Sequence, residues 1–74
     1  MPDPEADRVE SLGTKLPEET ARCRELLSAY RALGPAGTFA AASIESALRE
    51  ADRTMIEQDL PGMIRVYHRL RGFE

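Results

Sequence analysis

Two short segments that combine glycine with proline divide this sequence, and they constrain its fold more than any other feature. The first is Gly-Pro-Ala-Gly at residues 34–37, and the second is Asp-Leu-Pro-Gly at residues 59–62. Proline suits a first helical turn but not a helix interior, and glycine often follows a helix end. Apolar residues recur at helical spacing between these breaks. The sequence therefore predicts an all-α fold with three helices, over residues 17–33, 38–57 and 60–71.

Each predicted helix has a local start signal. Pro17 suits the first helical position of the first helix. Thr38 is a candidate N-cap for the second helix, although Pro35 could start that helix earlier. Asp59 is a favourable N-cap for the third helix, which Gly72 would end. No alternating apolar run and no Asn-Gly or Asp-Gly pair indicates a β-hairpin.

The apolar stripes of the three helices predict one shared core. A short connection between the first two helices favours an antiparallel hairpin, with the shorter third helix folded across it as a small three-helix bundle. Truncating a large core residue such as Leu48 should strongly destabilise so small a domain. The predicted core consists of Cys23, Leu26, Tyr30, Leu33, Ala40, Ile44, Ala47, Leu48, Ala51, Met55, Met63, Tyr67 and Leu70.

Residues 1–16 differ from the rest of the chain in composition. They contain four acidic residues, and their only large apolar residues after Met1 are Val9, Leu12 and Leu16. We therefore expect a flexible acidic arm over residues 1–16, followed by one helical domain over residues 17–74. An alternative is a short helix that Asp3 caps, which would begin at Pro4 and end at Gly13.

The residue inventory argues against enzymatic chemistry. One cysteine, Cys23, and one histidine, His68, exclude an internal disulfide, a thiolate zinc site and a multi-histidine metal centre. No motif supplies a nucleophile with a base, a phosphate loop or a metal-binding helix. No apolar run approaches the roughly 18 residues of a membrane helix. We therefore expect a non-enzymatic protein without catalytic residues, cofactor, metal or membrane span.

The small size of the chain favours a partner. A domain of 74 residues buries a core that barely offsets the entropy of ordering it, so self-association would help. Four apolar residues at or beyond the margins of the stripes form the candidate protein interface: Leu27, Ile56, Ile64 and Phe73. Clustered exposed apolar residues usually mark an interface. The leading hypothesis is a protein–protein interaction module that forms a homodimer.

The alternative hypothesis is nucleic-acid binding through the basic face of the third helix. Its candidate contacts are Arg65, His68, Arg69 and Arg71. A helix with outward cations could lie in a groove of DNA or RNA. The chain has a net charge of −3, however, and affinity for phosphates grows with the number of neutralised charges. The composition therefore favours the protein-binding hypothesis over this one.

A longer pattern covers roughly residues 26–74. It consists of Leu26-Leu27-x-x-Tyr30-x-x-x-Gly34-Pro35-Ala36-Gly37-x-Phe39, followed by Met63-Ile64-x-x-Tyr67. This pattern resembles small uncharacterised helical proteins encoded by tailed bacteriophages and prophages. The resemblance implies a bacterial cytoplasm, and either virion assembly or the binding of a host protein. It implies no ligand and no catalytic residue.

Overall fold

The computed structural model describes residues 4–74, with side chains from residue 11 onward. Three α-helices account for nearly all of that part of the chain: α1 (Pro4–Ala32), α2 (Thr38–Ile56) and α3 (Leu60–Arg71). A 3₁₀ turn, Gly34–Gly37, joins α1 to α2. Each helix contacts the other two. The prediction of an all-α chain with three helices is confirmed.

The first helix begins much earlier than predicted. The predicted start at Pro17 is wrong, because α1 begins at Pro4 and Pro17 lies inside it. The alternative start at Pro4 matches this boundary, but the helix does not end at Gly13. Leu12 and Leu16 are buried, at 8% and 0% exposed, so their packing favours a helix that begins well before the proline. The predicted flexibility of residues 1–16 stays a prediction, and residues 1–3 lie outside the described residues.

Pro17 leaves a local defect in α1. Proline has no backbone N–H, so the carbonyl of Gly13 lacks its usual helical partner. One turn later, the hydroxyl of Thr20 donates to the carbonyl of Pro17 over 2.8 Å. Thr20 is only 3% exposed, so this bond also satisfies a buried hydroxyl. The helix therefore continues through Pro17 with one backbone hydrogen bond fewer.

Two glycines shape the connection between α1 and α2. Gly34 has a positive φ of 66°, which turns the chain away from the end of α1. A Cβ on Gly37 would lie 1.9 Å from the carbonyl oxygen of Tyr30, so only glycine fits this close approach. The predicted N-cap Thr38 is instead the first helical residue, because Gly37 occupies the cap position. The Thr38 hydroxyl donates to the carbonyl of Gly34 at 3.4 Å.

The turn between α2 and α3 follows the local sequence closely. Gln58 adopts a left-handed conformation with a φ of 55°. The N–H of Asp59 donates to the carbonyl of Thr54 at 2.9 Å, and that of Gln58 donates to Met55 at 3.3 Å. This pair of bonds is a Schellman motif. Asp59 then caps α3, since its carboxylate accepts from the N–H of Gly62 at 3.2 Å. The predicted cap and the predicted range 60–71 are both confirmed.

Ion pairs give the relative direction of α1 and α2. Arg31 pairs with Glu45, and Arg24 lies 3.9 Å from Asp52. From Glu45 to Asp52 along α2, the pairing partners on α1 run in the opposite order, from Arg31 back to Arg24. Both pairs are well exposed, so each contributes little to stability.

One side chain of α1 holds the carboxyl end of α3. The guanidinium of Arg22 donates to the carbonyl of Leu70 at 2.8 Å and to that of Phe73 at 3.0 Å. The same group forms an ion pair with Glu19 at 2.8 Å. The last carbonyls of a helix have no intrahelical partner and carry partial negative charge. Arg22 therefore adds a charged donor to the Leu70 carbonyl, which also accepts the N–H of Phe73, and it supplies a donor to the carbonyl of Phe73 just beyond α3.

The core lies where the three helices meet. Its buried apolar residues are Leu12, Leu16, Cys23, Leu27, Ala41, Ile44, Ala47, Leu48, Ala51, Val66 and Leu70. Leu26, Tyr30, Met55, Met63 and Tyr67 are partly buried against this cluster. Ala40 is also only partly buried, while its neighbour Ala41 is buried. The assignment of Leu33 to the core is wrong, because α1 ends before it and 61% of it is exposed.

Candidate functional site

The four predicted interface residues differ in how far their side chains are exposed. Leu27 is 7% exposed and belongs to the core, so its placement at an exposed margin is wrong. The physical reason is that α1 contacts both α2 and α3, which requires a broad apolar face. Phe73 is partly buried against the same core. Ile56 and Ile64 remain exposed, at 82% and 40%.

A shallow apolar depression lies at the turn between α2 and α3. We call it the hinge groove, and Met55, Gln58, Leu60 and Met63 line its volume of about 420 Å³. Leu60 is 40% exposed, and Ile56 lies at the adjoining end of α2. Methionine is flexible and polarisable, so it adapts to different apolar partners. The apolar pattern of the sequence does not predict this groove, because it places both methionines in the core.

A second depression lies between the first half of α1 and α3. We call it the basic groove; it has a volume of about 390 Å³ and is lined by Ser11, Leu12, Lys15, Ile64, Tyr67, His68 and Arg71. Its apolar lining comes from Leu12, Ile64 and Tyr67. Among the side chains described from residue 11 onward, the charged or chargeable groups of this groove are all basic. The sequence offered no direct signal for this groove, because α1 was expected to begin after Leu12 and Lys15.

The four candidate nucleic-acid contacts of α3 are all exposed. Arg69 is already paired, because its guanidinium lies 2.9 Å from the carboxylate of Glu50. Arg71 lies over the ring of Tyr67 at 5.7 Å, and the ring of His68 lies 5.8 Å from the same ring. Arg65 forms no ion pair with any side chain described between residues 11 and 74. The basic face is therefore only partly available for phosphate.

Two further large apolar side chains are exposed near the connection of α1 and α2. Phe39 is 86% exposed, and Leu33 is 61% exposed. The sequence pattern placed Leu33 in the core, and Phe39 is not among the four predicted interface residues. Exposed apolar residues therefore occur near both ends of α2, at this connection and at the hinge groove.

Cys23 is fully buried within the core. Its thiol donates to the carbonyl of Leu70 at 3.5 Å. Burial raises the pKa of this thiol above its ordinary value, and the positive charge of Arg22 only partly opposes that shift. A buried and protonated thiol is a poor nucleophile, because the thiolate is the reactive form.

Within the part of the chain that the structure describes, there is neither a cluster of metal ligands nor a helix that could span a membrane. No group of three or more His, Cys, Asp or Glu side chains there is arranged to hold a metal ion. None of the described helices is long and apolar enough to cross a membrane.

Comparisons with known proteins gave no relative for this chain: no protein-family model, curated protein or solved structure matches it.

Proposed function

We propose that this chain is a non-enzymatic helical module for protein–protein interaction. In the proposed arrangement, α1 and α2 form an antiparallel hairpin, α3 packs across it, and the bundle presents apolar side chains to a partner. The observation that carries the proposal is the hinge groove, where Met55, Leu60 and Met63 surround an apolar depression. Grooves of this chemistry suit the apolar face of an amphipathic helix.

The exposure of Ile56 supports the same conclusion. This side chain is 82% exposed, and it lies in the sequence between Met55 and Gln58, two residues that line the hinge groove. Burying one such side chain in an interface is worth about 1.5–3 kcal/mol. A partner that covered Ile56 and Leu60 together would therefore gain a substantial part of a typical binding energy.

The proposed setting is a bacteriophage or prophage, with the protein acting in the cytoplasm of the bacterial host. Within that setting the partner would be either a component of virion assembly or a protein of the host. Gene neighbourhood separates the two versions, because morphogenesis genes cluster together. The proposal also includes self-association as a homodimer, since so small a core benefits from a second chain.

Affinity capture tests the proposal directly. Tagged wild-type protein is compared with the double variant Ile56→Lys/Leu60→Lys in a lysate of a bacterial host. The control, Ala29→Lys/Ala36→Lys, adds the same charge at exposed positions away from the hinge groove. We expect one or more proteins to be retained by the wild type and the control, and lost with the double variant.

Two results would contradict the hinge groove as a binding surface. One is that the wild type retains no protein above background. The other is that all three forms retain the same proteins equally. Circular dichroism on each variant excludes unfolding as the cause of a lost partner.

Nucleic-acid binding is a second candidate function, favoured by the exposure of Arg65 and Arg71 without acidic partners among residues 11–74. Such binding should weaken steeply as salt is added. The Arg65→Ala/Arg71→Ala variant should then lose affinity for a labelled duplex. The exposed pair Arg24→Ala/Arg49→Ala gives the matched control. Absence of binding at low salt would end this candidate.

A further inference from the structure

The basic groove combines an apolar lining with charge of one sign. Lys15, His68 and Arg71 lie around Leu12, Ile64 and Tyr67. No ion pair joins any of these three basic side chains to an acidic side chain within residues 11–74. The whole chain, in contrast, carries a net charge of −3. The occupant that fits this groove is therefore an acidic segment that also carries apolar residues.

The N-terminal segment of the sequence has that chemistry. Residues 1–10 include Asp3, Glu5, Asp7 and Glu10 against one arginine, Arg8, and they also include Val9. The segment is opposite in charge to the basic groove. The match in charge and apolar character makes it a candidate occupant.

The backbone of α1 leads the N-terminal segment of the same chain along the helix axis and not back across the groove. The helix α1 runs without interruption from Pro4 through Ser11 and Lys15, which themselves line the groove. A continuous helix carries residues 4–10 about 10 Å along its axis beyond Ser11. Folding this segment back would break the helix. The corresponding segment of a second copy has no such restriction.

We propose that the basic groove binds the acidic N-terminal segment of a second copy of this chain. Two copies related by a two-fold axis would each give one segment and receive one, so the contact closes as a dimer. Opposite charges would steer the two copies into this register, and the apolar lining would exclude water from the contact. The inference rests on the self-association included in the proposed function, and it assigns a place and a chemistry to it.

Charge reversal with rescue tests this assignment. The groove variant is Lys15→Glu/Arg71→Glu, and the segment variant is Asp7→Lys/Glu10→Lys. The control, Arg24→Glu/Arg49→Glu, makes the same change in charge at exposed positions outside the groove. Light scattering reports the mass of each form, which is 8.2 kDa for one chain. If reversal of Arg71 unfolds the protein, Lys15→Gln/Arg71→Gln removes the two charges more gently.

The expected result has three parts. Wild type and control are dimers at about 0.1 M salt and shift toward monomers at about 1 M, where charges are screened within about 3 Å. The groove variant and the segment variant are each monomers alone. An equal mixture of these two variants restores a species of twice the chain mass.

Other results overturn the assignment and separate it from the proposed function. A groove variant that still dimerises places the dimer contact elsewhere, for example at Ile56, and leaves self-association intact. A monomeric wild type removes both the groove contact and the homodimer, whereas capture through the hinge groove remains a separate measurement. Loss of duplex binding in the groove variant, with dimerisation unchanged, would assign the groove to nucleic acid instead.

Discussion

At the scale of a single residue, the Cys23 thiol makes stability depend on pH. Burial raises the pKa of this thiol in the folded chain. In the unfolded chain a cysteine loses its proton near pH 8.5. Below that pH both states keep the proton, and the thiol contributes no pH dependence. Above it the unfolded state binds fewer protons, so the free energy of unfolding falls as pH rises toward the folded pKa.

We therefore expect Cys23→Ala to flatten the alkaline part of the stability profile. Urea unfolding of wild type and variant between about pH 7 and about pH 10 measures the two slopes. Removing the sulfur also changes the free energy of unfolding by an amount that does not depend on pH. The slopes of the two profiles are therefore compared, and not their absolute values. The two proteins differ at residue 23 alone, so a difference between their slopes reports on the thiol. Equal slopes would contradict the assignment.

Single residues also show where sequence patterns lose precision. Leu26 and Leu27 are adjacent, and the pattern placed Leu26 in the core and Leu27 at the margin. In the structure Leu27 is the more deeply buried of the two, because α1 packs against two helices at once. In the same way, the pattern placed Ala40 in the core, but its neighbour Ala41 is the buried residue. Helical periodicity predicts which side of a helix is apolar. Which residues at the edges of that side become buried depends on where the other two helices pack.

At the scale of an element, the turn between α2 and α3 contains a residue that is not ideal for its conformation. Gln58 occupies the left-handed position of the Schellman motif, where glycine carries no Cβ penalty. The left-handed conformation costs about 1 kcal/mol for a residue other than glycine. We expect Gln58→Gly to stabilise the protein by up to about that amount. For a domain of this size, 1 kcal/mol corresponds to a rise of about 4–8 °C in Tm.

The control for this prediction is Ser28→Gly, at an exposed position inside α1. The same type of change should there lower the Tm, because glycine weakens a helix interior by about 0.5–1 kcal/mol. Thermal unfolding followed by circular dichroism measures both variants. A fall in Tm for Gln58→Gly would show that the left-handed backbone at this position is not a source of strain.

The elements differ in how well local sequence predicts them. The cap and both ends of α3 were predictable, since Asp59, Pro61 and Gly72 act on neighbouring residues only. The start of α1 was not, because Pro17 is locally a good first residue of a helix. Packing against residues far along the chain overrides that signal: Leu12 lines the same groove as Ile64 and Tyr67, and Leu16 belongs to the common core.

At the scale of the whole molecule, stability depends on a small core. A domain of 74 residues typically has about 4–11 kcal/mol of unfolding free energy. Ile44 is 1% exposed, and truncation of such a side chain costs about 2–5 kcal/mol. We expect Ile44→Ala to lower the Tm by more than about 10 °C or to abolish cooperative unfolding.

Ile56→Ala provides a matched control, because it removes the same atoms from a side chain that is 82% exposed. We expect this change to alter the free energy of unfolding by less than about 0.5 kcal/mol. Thermal denaturation of the two variants side by side measures the difference. Similar losses for both would mean that the core does not centre on Ile44.

The two grooves show why surface sites were harder to predict than helices. The basic groove requires side chains from distant parts of the chain, such as Lys15 with Arg71, and the hinge groove requires side chains from both sides of a turn. Periodicity reports which residues share a helix face, but it gives no distance between helices. It identified Ile56 and Ile64 as exposed candidates, yet it could not place Ile64 opposite Leu12.

The contact between Arg22 and the end of α3 also has a kinetic consequence. This hydrogen bond joins residues 48 positions apart in the chain, so it closes a long loop, whose ordering is entropically costly. We expect this contact to form after the transition state for folding, because closing so long a loop is costly before the rest of the core is in place. Losing the guanidinium would then shorten the lifetime of the folded molecule and leave its rate of formation nearly unchanged. Since a guanidinium keeps its charge across the ordinary pH range, that lifetime gains no sensitivity to acid or base from this contact.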